Sequence, residues 1–375
     1  MADVSKTTIP QSLGIQMNRV REIGMSLFSR PKAFVTPGLD WQLQGMALAF
    51  DPLADQSIHG TIQFEDTANR GAIYQLHLDG GTCIFHRGTP FSPDLTVRTP
   101  PGVWWEISTG KLSGQQAFLE GQYTAQGDLQ LLRQLNRLFR SREDLDLRAP
   151  AGQRPPGPLP LPGMAWMQIA LLPWIMHWIL FGLSPASGMN LVIPLFLSLM
   201  IIGYRLKYGG LTWLEWCGVI FFGLASAQWL LPWNAWPVWG SVVSGLALSV
   251  CWLGSLLVAG EPLSAAYSKW TYTRKLWGTD LFNYPNAVIS LMWGLQFLMA
   301  SCLGIAVVLI PEHGGFLSLA RFGLLLPAIL LTLVWQKKAP DWPVADYPHA
   351  FARLRRIAVL GLACCVAVFL NLLQL

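Results

Sequence analysis

The sequence predicts a chain in two parts: a soluble α+β domain over residues 1–145, then an all-α polytopic membrane domain of about seven transmembrane helices over 163–375. Three observations predict it. Residues 1–160 carry 15 basic and 15 acidic side chains and residues 161–375 only 11 and 6, so the second part is poor in charge and holds the whole net charge of +5. The second part also consists of successive apolar runs, most of them near the ~20 residues that a hydrocarbon core of ~30 Å demands of a helix. Finally, the Lys and Arg residues of that part cluster in alternate connections, as the positive-inside rule requires.

Composition narrows the function classes. Hydrophobic residues make up 52% of the chain and charged residues 13%, about half the charged share usual in soluble domains. Because the positive excess lies among the apolar runs, no nucleic-acid partner is expected. The start, Met1–Gln11, is polar and no apolar h-region follows it, so no secretory signal peptide is expected. Of the six Cys only Cys83 lies outside an apolar run, and no CxxC pair or Cys/His cluster occurs. Neither a disulfide framework nor a metal site is expected, and cysteine serves here as a small apolar residue.

The elements follow in order. Residues 12–29 place Met17, Val20, Ile23, Leu27 and Phe28 on one helical face and stop before Pro31, which reads as an amphipathic helix docked on its own domain or lying on a membrane. Short strand signals come next at His59–Glu65, Ala72–Asp79, Thr82–His86 and Leu95–Thr99, the second and third joined through Asp79-Gly80-Gly81, a tight-hairpin sequence. Val103–Ser108 and Gln115–Leu119 read as short helices and Gln122–Ala125 as a further strand. Asp128–Phe139 reads as a closing helix with Asp128 at its N-cap and Leu131, Leu132, Leu135 and Phe139 on one face.

This ordered set resembles a known family. The run Gly60-Thr61-Ile62-Gln63-Phe64, the hairpin, Asp94–Val97, Gly110-Lys111-Leu112, Gln116-Ala117-Phe118-Leu119-Glu120-Gly121 and Gly127-Asp128-Leu129 through Leu138-Phe139 are similar to the sterol carrier protein domain, over roughly residues 40–141. Gln122 stands where that family usually has a basic residue. The resemblance implies a curved five-stranded sheet covered by helices, with an apolar tunnel between them for a sterol, fatty acyl chain or isoprenoid. It supplies no catalytic residue. Phe64, Tyr74, Trp104, Trp105, Phe118, Leu132, Leu135 and Phe139 are the candidates to line such a cavity, although the same side chains would equally fill a closed core.

Residues 146–162, with Arg154-Pro155-Pro156-Gly157-Pro158, read as an extended, semi-rigid linker that leaves the first domain independently folded. Candidate spans follow near Gly163–Leu183, Leu191–Tyr204, Leu211–Leu231, Val238–Gly260, Ala287–Ile310, Leu317–Trp335 and Ile357–Leu373, of which the second is short and contains Pro194. Six Arg from Arg133 to Arg154 precede the first span, and Arg205 and Lys207 follow the second. Lys269, Arg274 and Lys275 follow the fourth, and five Lys or Arg from Lys337 to Arg356 follow the sixth, whereas 184–190, 232–236 and 311–316 contain none. This places the N-terminal domain in the cytoplasm and the C-terminus across the membrane, most simply the plasma membrane.

Eight Trp between Trp174 and Trp239 lie mostly near span ends and read as an aromatic belt. Glu215 and Arg321 sit one turn inside their spans and are expected to snorkel, while His177 is expected to be a packing residue. The aromatic connection Glu261–Pro285 reads as an interfacial helix or as a docking surface for the soluble domain.

No nucleotide-binding glycine motif, GxSxG elbow or HExxH occurs, and neither His59 nor His86 has an acidic neighbour that stands out. No catalytic residue and no cofactor are therefore assigned. The reading that results is a membrane-tethered lipid-binding protein whose partners are a hydrophobic small molecule and the bilayer, with a membrane enzyme as the alternative to the bilayer in exchanging the ligand. Two alternatives stand beside it: a membrane enzyme of lipid or isoprenoid metabolism that uses the soluble domain to present substrate, and a non-binding interaction module on a membrane scaffold.

Overall fold

The structure, a computed structural model, describes residues 36–374 except 54–55, 70, 141–145, 151, 157–158, 160, 209, 228–235, 259 and 340–342. The amphipathic helix expected over residues 12–29 lies outside the described residues.

Five strands form one mixed sheet: β1 (His59–Asp66), β2 (Ile73–Asp79), β3 (Thr82–Arg87), β4 (Leu95–Thr99) and β5 (Thr124–Gly127), in the order β3-β2-β1-β4-β5. β1 and β4 run parallel, with Phe64 opposite Val97, and the other pairs are antiparallel. The β2–β3 turn works as its sequence predicts. Gly80 and Gly81 both take positive φ, 52° and 92°, so two residues turn the chain and Asp79 pairs with Thr82. β5 begins two residues later than expected because its ladder on β4 runs from Thr124 opposite Arg98 to Gly127 opposite Leu95.

Alternation along β1 puts Ile62 and Phe64 into the core. Thr61 and Gln63 face the other way and are buried too, Thr61 hydrogen-bonded to His77 at 3.0 Å and Gln63 accepting from Gln75 at 3.0 Å, while Phe91 stacks on His77 at 4.1 Å with its backbone held by Gln75.

Four helices accompany the sheet: α1 (Leu39–Ala49), α2 (Pro101–Ser108), α3 (Gly114–Leu119) and α4 (Leu129–Leu138). α2 and α3 follow Pro100 and Ser113, and α4 starts where expected, with the Asp128 carboxylate accepting from Gln130 N (2.8 Å) and Leu131 N (3.3 Å). Gly127 before it has no substitute. Its φ is 104°, and a Cβ there would lie 2.1 Å from the Asp94 carbonyl oxygen. α1 is absent from the sequence-based expectation because its buried residues include Asp40, Gln42 and Gln44 beside Leu39 and Leu43, which leaves no apolar stripe to detect.

The remaining chain is helical: α5 (Gly163–Leu183), α6 (Met189–Tyr208), α7 (Trp213–Ala227), α8 (Trp236–Gly254), short α9 (Leu263–Ser268), α10 (Asp280–Leu309), α11 (Gly314–Gly323), α12 (Leu325–Lys338) and α13 (Tyr347–Leu372). Six segments are long and apolar enough to cross a membrane: α5, α6, α8, α10, the α11–α12 stretch and α13. α6 reaches 20 residues despite Pro194, so the expected weak second span is a full one; the short apolar helix is instead α7, 15 residues among those described. The sixth run is two helices meeting at Leu324.

α8 and α10 approach closely through small residues, where Ser249 donates to the Gly294 carbonyl at 2.8 Å and Ser301 to that of Val242 at 3.2 Å. Trp174, Trp236 and Trp239 are core rather than belt, since each is buried in the bundle; Trp213 and Trp216 keep exposed rings. His177 is fully buried, its Nδ1 2.7 Å from the Asn190 carbonyl and its ring against Phe181, Phe222 and Trp236, a packing role as expected.

Glu215 does not snorkel. It is 5% exposed and lies 3.6 Å from the guanidinium of Arg205, with Thr212 donating to it and Tyr267 in turn bonded to Thr212 at 2.6 Å. Two charges buried together in a bundle are tolerated only when paired in this way. Arg321 likewise turns inward, donating to the Ser241 carbonyl at 2.9 Å.

The sheet part and the helical part are in direct contact. Gly38 N donates to the Val344 carbonyl, Gln153 donates to the Tyr272 carbonyl at 2.6 Å, and Leu48 of α1 packs with Leu276 and Phe282. The aromatic connection 261–285 folds as α9, two 3₁₀ turns and the first turn of α10, and it carries several of these contacts. These contacts give it the docking role.

Candidate functional site

A cavity of about 1720 Å³ lies among the described residues. The sheet part supplies one side of it from α1, α2, the turn into α3, and α4. The helical part supplies the other from Tyr272–Ile289, the end of α12 and the start of α13.

The walls on the sheet side are set by aromatic stacking. Trp104 of α2 lies edge-on to Phe64 at 4.9 Å and donates its indole N–H to the Met46 sulfur at 3.4 Å. Trp41 of α1 meets Trp105 at 5.7 Å, and Gln42 donates to the Pro101 carbonyl at 2.9 Å, so α1 and α2 are tied to each other. Phe118 tilts against Tyr123 at 5.6 Å, and Tyr123 donates to the Gly114 carbonyl, pinning α3.

Of the candidate residues, Trp104, Trp105, Phe118, Leu132, Leu135 and Phe139 line this cavity. Phe64 and Tyr74 do not. Phe64 is fully buried beneath Trp104, and Tyr74 stacks on Phe85 at 6.0 Å between β2 and β3, where burial and the nearby Asp40 push its phenol up to about 12. Both alternate toward the core side of the sheet, a position that composition does not separate from a cavity wall. Sequence reasoning missed Trp41 and Met46, which lie on the undetected α1, and Phe282, Tyr284 and Trp335 on the helical side. The density of aromatic residues over 267–284 was the one signal available for the latter group.

The charge of the lining is one-sided. Among the described residues that line the cavity, Arg133 and Arg140 are the charged ones and no Asp or Glu accompanies them. Arg140 is engaged by Asp51 at 2.8 Å, and that hydrogen bond holds the Asp51 carboxyl below its usual range. Arg133, on an exposed turn of α4, has no ion-pair partner among the described residues.

Among the described residues of the lining none forms an acid–base or nucleophilic constellation. Among the described residues no group of three or more His, Cys, Asp or Glu could hold a metal ion. His59 does have an acidic partner, contrary to its sequence reading: Asp79 lies opposite it across β1 and β2 at 2.9 Å. Both side chains are more than half exposed, away from the cavity, and form a solvated pair. What the arrangement can do chemically is enclose apolar groups beside a positive charge.

Residues 53–140 match the profile of the SCP-2 sterol transfer family, which agrees with the resemblance read over residues 40–141. None of the curated proteins matches the chain. Among solved structures, sterol carrier protein 2 like 2 from Aedes aegypti is 22% identical over 26% of this chain and 90% of its own, with a TM-score of 0.22. The stereoselective inverting sec-alkylsulfatase Pisa1 from Pseudomonas sp. is 19% identical over 27% of this chain, with a TM-score of 0.25, and the match spans only 16% of the sulfatase. A conserved protein of Thermus thermophilus is 17% identical over 26% of this chain and 82% of its own, with a TM-score of 0.21.

Proposed function

We propose that this is a membrane-tethered lipid-binding protein, whose sheet part takes up or presents a hydrophobic ligand of the sterol, fatty acyl or isoprenoid type at the cytoplasmic face of a membrane. The observation that carries the reading is the cavity of about 1720 Å³ with aromatic and aliphatic walls, part of one side of which is supplied by residues that match the sterol transfer family. Burying an acyl or isoprenoid chain there is favourable by ~0.8 kcal/mol per CH₂, enough for a modest chain to outweigh the cost of ordering it. Six helices long and apolar enough to cross a membrane support the tether, and the alternation of Lys and Arg among their connections supports a cytoplasmic sheet part. Tethering keeps the carrier at high local concentration beside the bilayer or beside a partner enzyme.

The test is a titration of the full chain in detergent micelles with a fluorescent fatty acid and a fluorescent sterol, repeated on Phe118→Asp and Leu135→Asp. Saturable binding that disappears in variants with unchanged circular dichroism is the expected result. A folded wild-type protein that binds neither probe overturns the reading in favour of an interaction module.

A further inference from the structure

We propose that the cavity is loaded sideways from the bilayer, and that the lipid it takes is an anionic membrane lipid bulkier than one fatty acid or one sterol. This rests on the lipid-binding reading above and on the apolar helices crossing a membrane. Three independent features converge on it.

The first is depth. α10 is 30 residues long, about 45 Å at 1.5 Å per residue, whereas the hydrocarbon core needs only ~20 residues. Counting about 20 residues back from Leu309 brings the hydrocarbon boundary to the neighbourhood of Ile289, and Ile289 is a cavity residue. The cavity wall on α10 therefore runs from Leu281 at headgroup level to the edge of the hydrocarbon. Trp335, Tyr284 and Tyr347 line the same stretch, the residue types that settle at a membrane interface, and Lys337 and Lys338 follow Trp335 in sequence. The Trp335 indole donates to the Pro285 carbonyl at 3.1 Å and the Trp293 indole to the Thr332 hydroxyl at 3.1 Å, so hydrogen bonds tie α12 to α10 along this stretch.

The second feature is size. Ordinary small-ligand pockets enclose about 300–1,000 Å³. At about 1720 Å³ this one exceeds what a single-chain fatty acid or a sterol would fill. The third is charge. Among the described residues the lining carries Arg133 and Arg140 and no carboxylate, and Arg140 is already engaged by Asp51, so Arg133 is the one placed to meet a negative headgroup while the chains lie against Trp104, Leu132 and Leu135.

The experiment uses the full chain in nanodiscs of phosphatidylcholine doped with phosphatidylglycerol that carries a photoactivatable diazirine in an acyl chain. A parallel sample carries the same diazirine in phosphatidylcholine. After irradiation, labelled peptides are mapped by mass spectrometry. Phosphatidylglycerol is expected to label α2 and α4 as well as outward residues of α12 such as Leu331, and phosphatidylcholine to label the outward residues alone. Arg133→Glu, on an exposed turn, should lower the α2 and α4 label roughly tenfold, the size of one charge-assisted contact, and leave the α12 label unchanged. Label confined to outward helix faces overturns the sideways route, and equal labelling by the two lipids, or no effect of Arg133→Glu, overturns the anionic ligand. If the fluorescent fatty acid still binds from water while no phospholipid reaches α2, this inference fails and the lipid-binding reading survives; if neither binds, both fail.

Discussion

Arg87, the last residue of β3, pairs with Asp280, the first residue of α10, so one guanidinium joins the outermost region of the sheet to the longest apolar helix. The same guanidinium reaches Asp40 of α1 at 2.8 Å. Asp40 is 2% exposed, and burial raises its pKa above the ordinary carboxylate value even though Arg87 opposes the shift. Removing Arg87 would strand that charge.

Arg87→Met is accordingly expected to cost about 2 kcal/mol, below the usual figure for breaking a buried pair because the Arg87 side chain itself stays 41% exposed. Asp40→Asn in the same chain should recover most of the loss. Asp280→Asn alone should cost less, since Asp280 is more exposed than Asp40. Thermal unfolding of the four proteins in one detergent measures the cycle, and equal melting temperatures for Arg87→Met and the parent would show that the triad contributes nothing.

Leu253 of α8 is gripped between two glycines on different helices. A Cβ on Gly294 would lie 2.5 Å from its side chain and 3.2 Å from its backbone nitrogen, and a Cβ on Gly361 of α13 would lie 2.7 Å from its other methyl group. Gly294→Val should therefore cost about 1–3 kcal/mol by overpacking. Combined with Leu253→Ala, which opens space at the same crossing, the loss should be smaller than the sum of the two single losses. Strict additivity in the same unfolding assay would contradict the close approach.

The parts legible in the sequence are those where one local rule decides the outcome. Gly80-Gly81 makes the β2–β3 turn because two positive φ angles are needed there, and Asp128 caps α4 because Gly127 leaves the chain against Asp94. The apolar runs became helices for the same reason, since length and hydropathy alone suffice. Where a partner distant in sequence decides, the reading fails. α1 buries Asp40, Gln42 and Gln44 only because Arg87, Pro101 and Asp280 come to meet them. Glu215 goes inward only because Arg205 waits on the neighbouring helix. For the cavity the limit is similar: six of eight candidate side chains line it, while Phe64 and Tyr74 share their character but point into the sheet core.

Acid should weaken the pairing of β1 with β4. Arg98 donates to Glu65 at 2.6 Å and that bond holds the Glu65 carboxyl below its ordinary value of 4.5, as Arg140 holds Asp51 below 3.8. A carboxyl lowered on folding contributes stability above its unfolded value and loses it as pH falls through the folded one. Asp40, raised by burial, acts in the opposite sense and softens the loss. Arg98→Gln should thus flatten the fall in melting temperature below about pH 4.5, by no more than roughly 1 kcal/mol because the pair is partly exposed. The difference should shrink in high salt; a variant whose acid limb overlays the parent's at low salt would remove Glu65 from the account.

Core and cavity can be separated by substitution, because the two roles respond oppositely to added and removed volume. Leu132 is half-buried on α4 and its side chain borders the cavity, so Leu132→Trp has free space to occupy and should abolish binding of the fluorescent fatty acid while the melting temperature stays within a degree or two of the parent. Phe64 borders no free space. Phe64→Ala should cost about 3–5 kcal/mol through the void it leaves under Trp104, yet protein that remains folded at low temperature should keep its affinity. The decisive result is the crossed pattern, with binding lost without stability at one residue and stability lost without binding at the other. If Leu132→Trp instead destabilises as Phe64→Ala does, the space beside α4 is closed in solution and the candidate site is ordinary core.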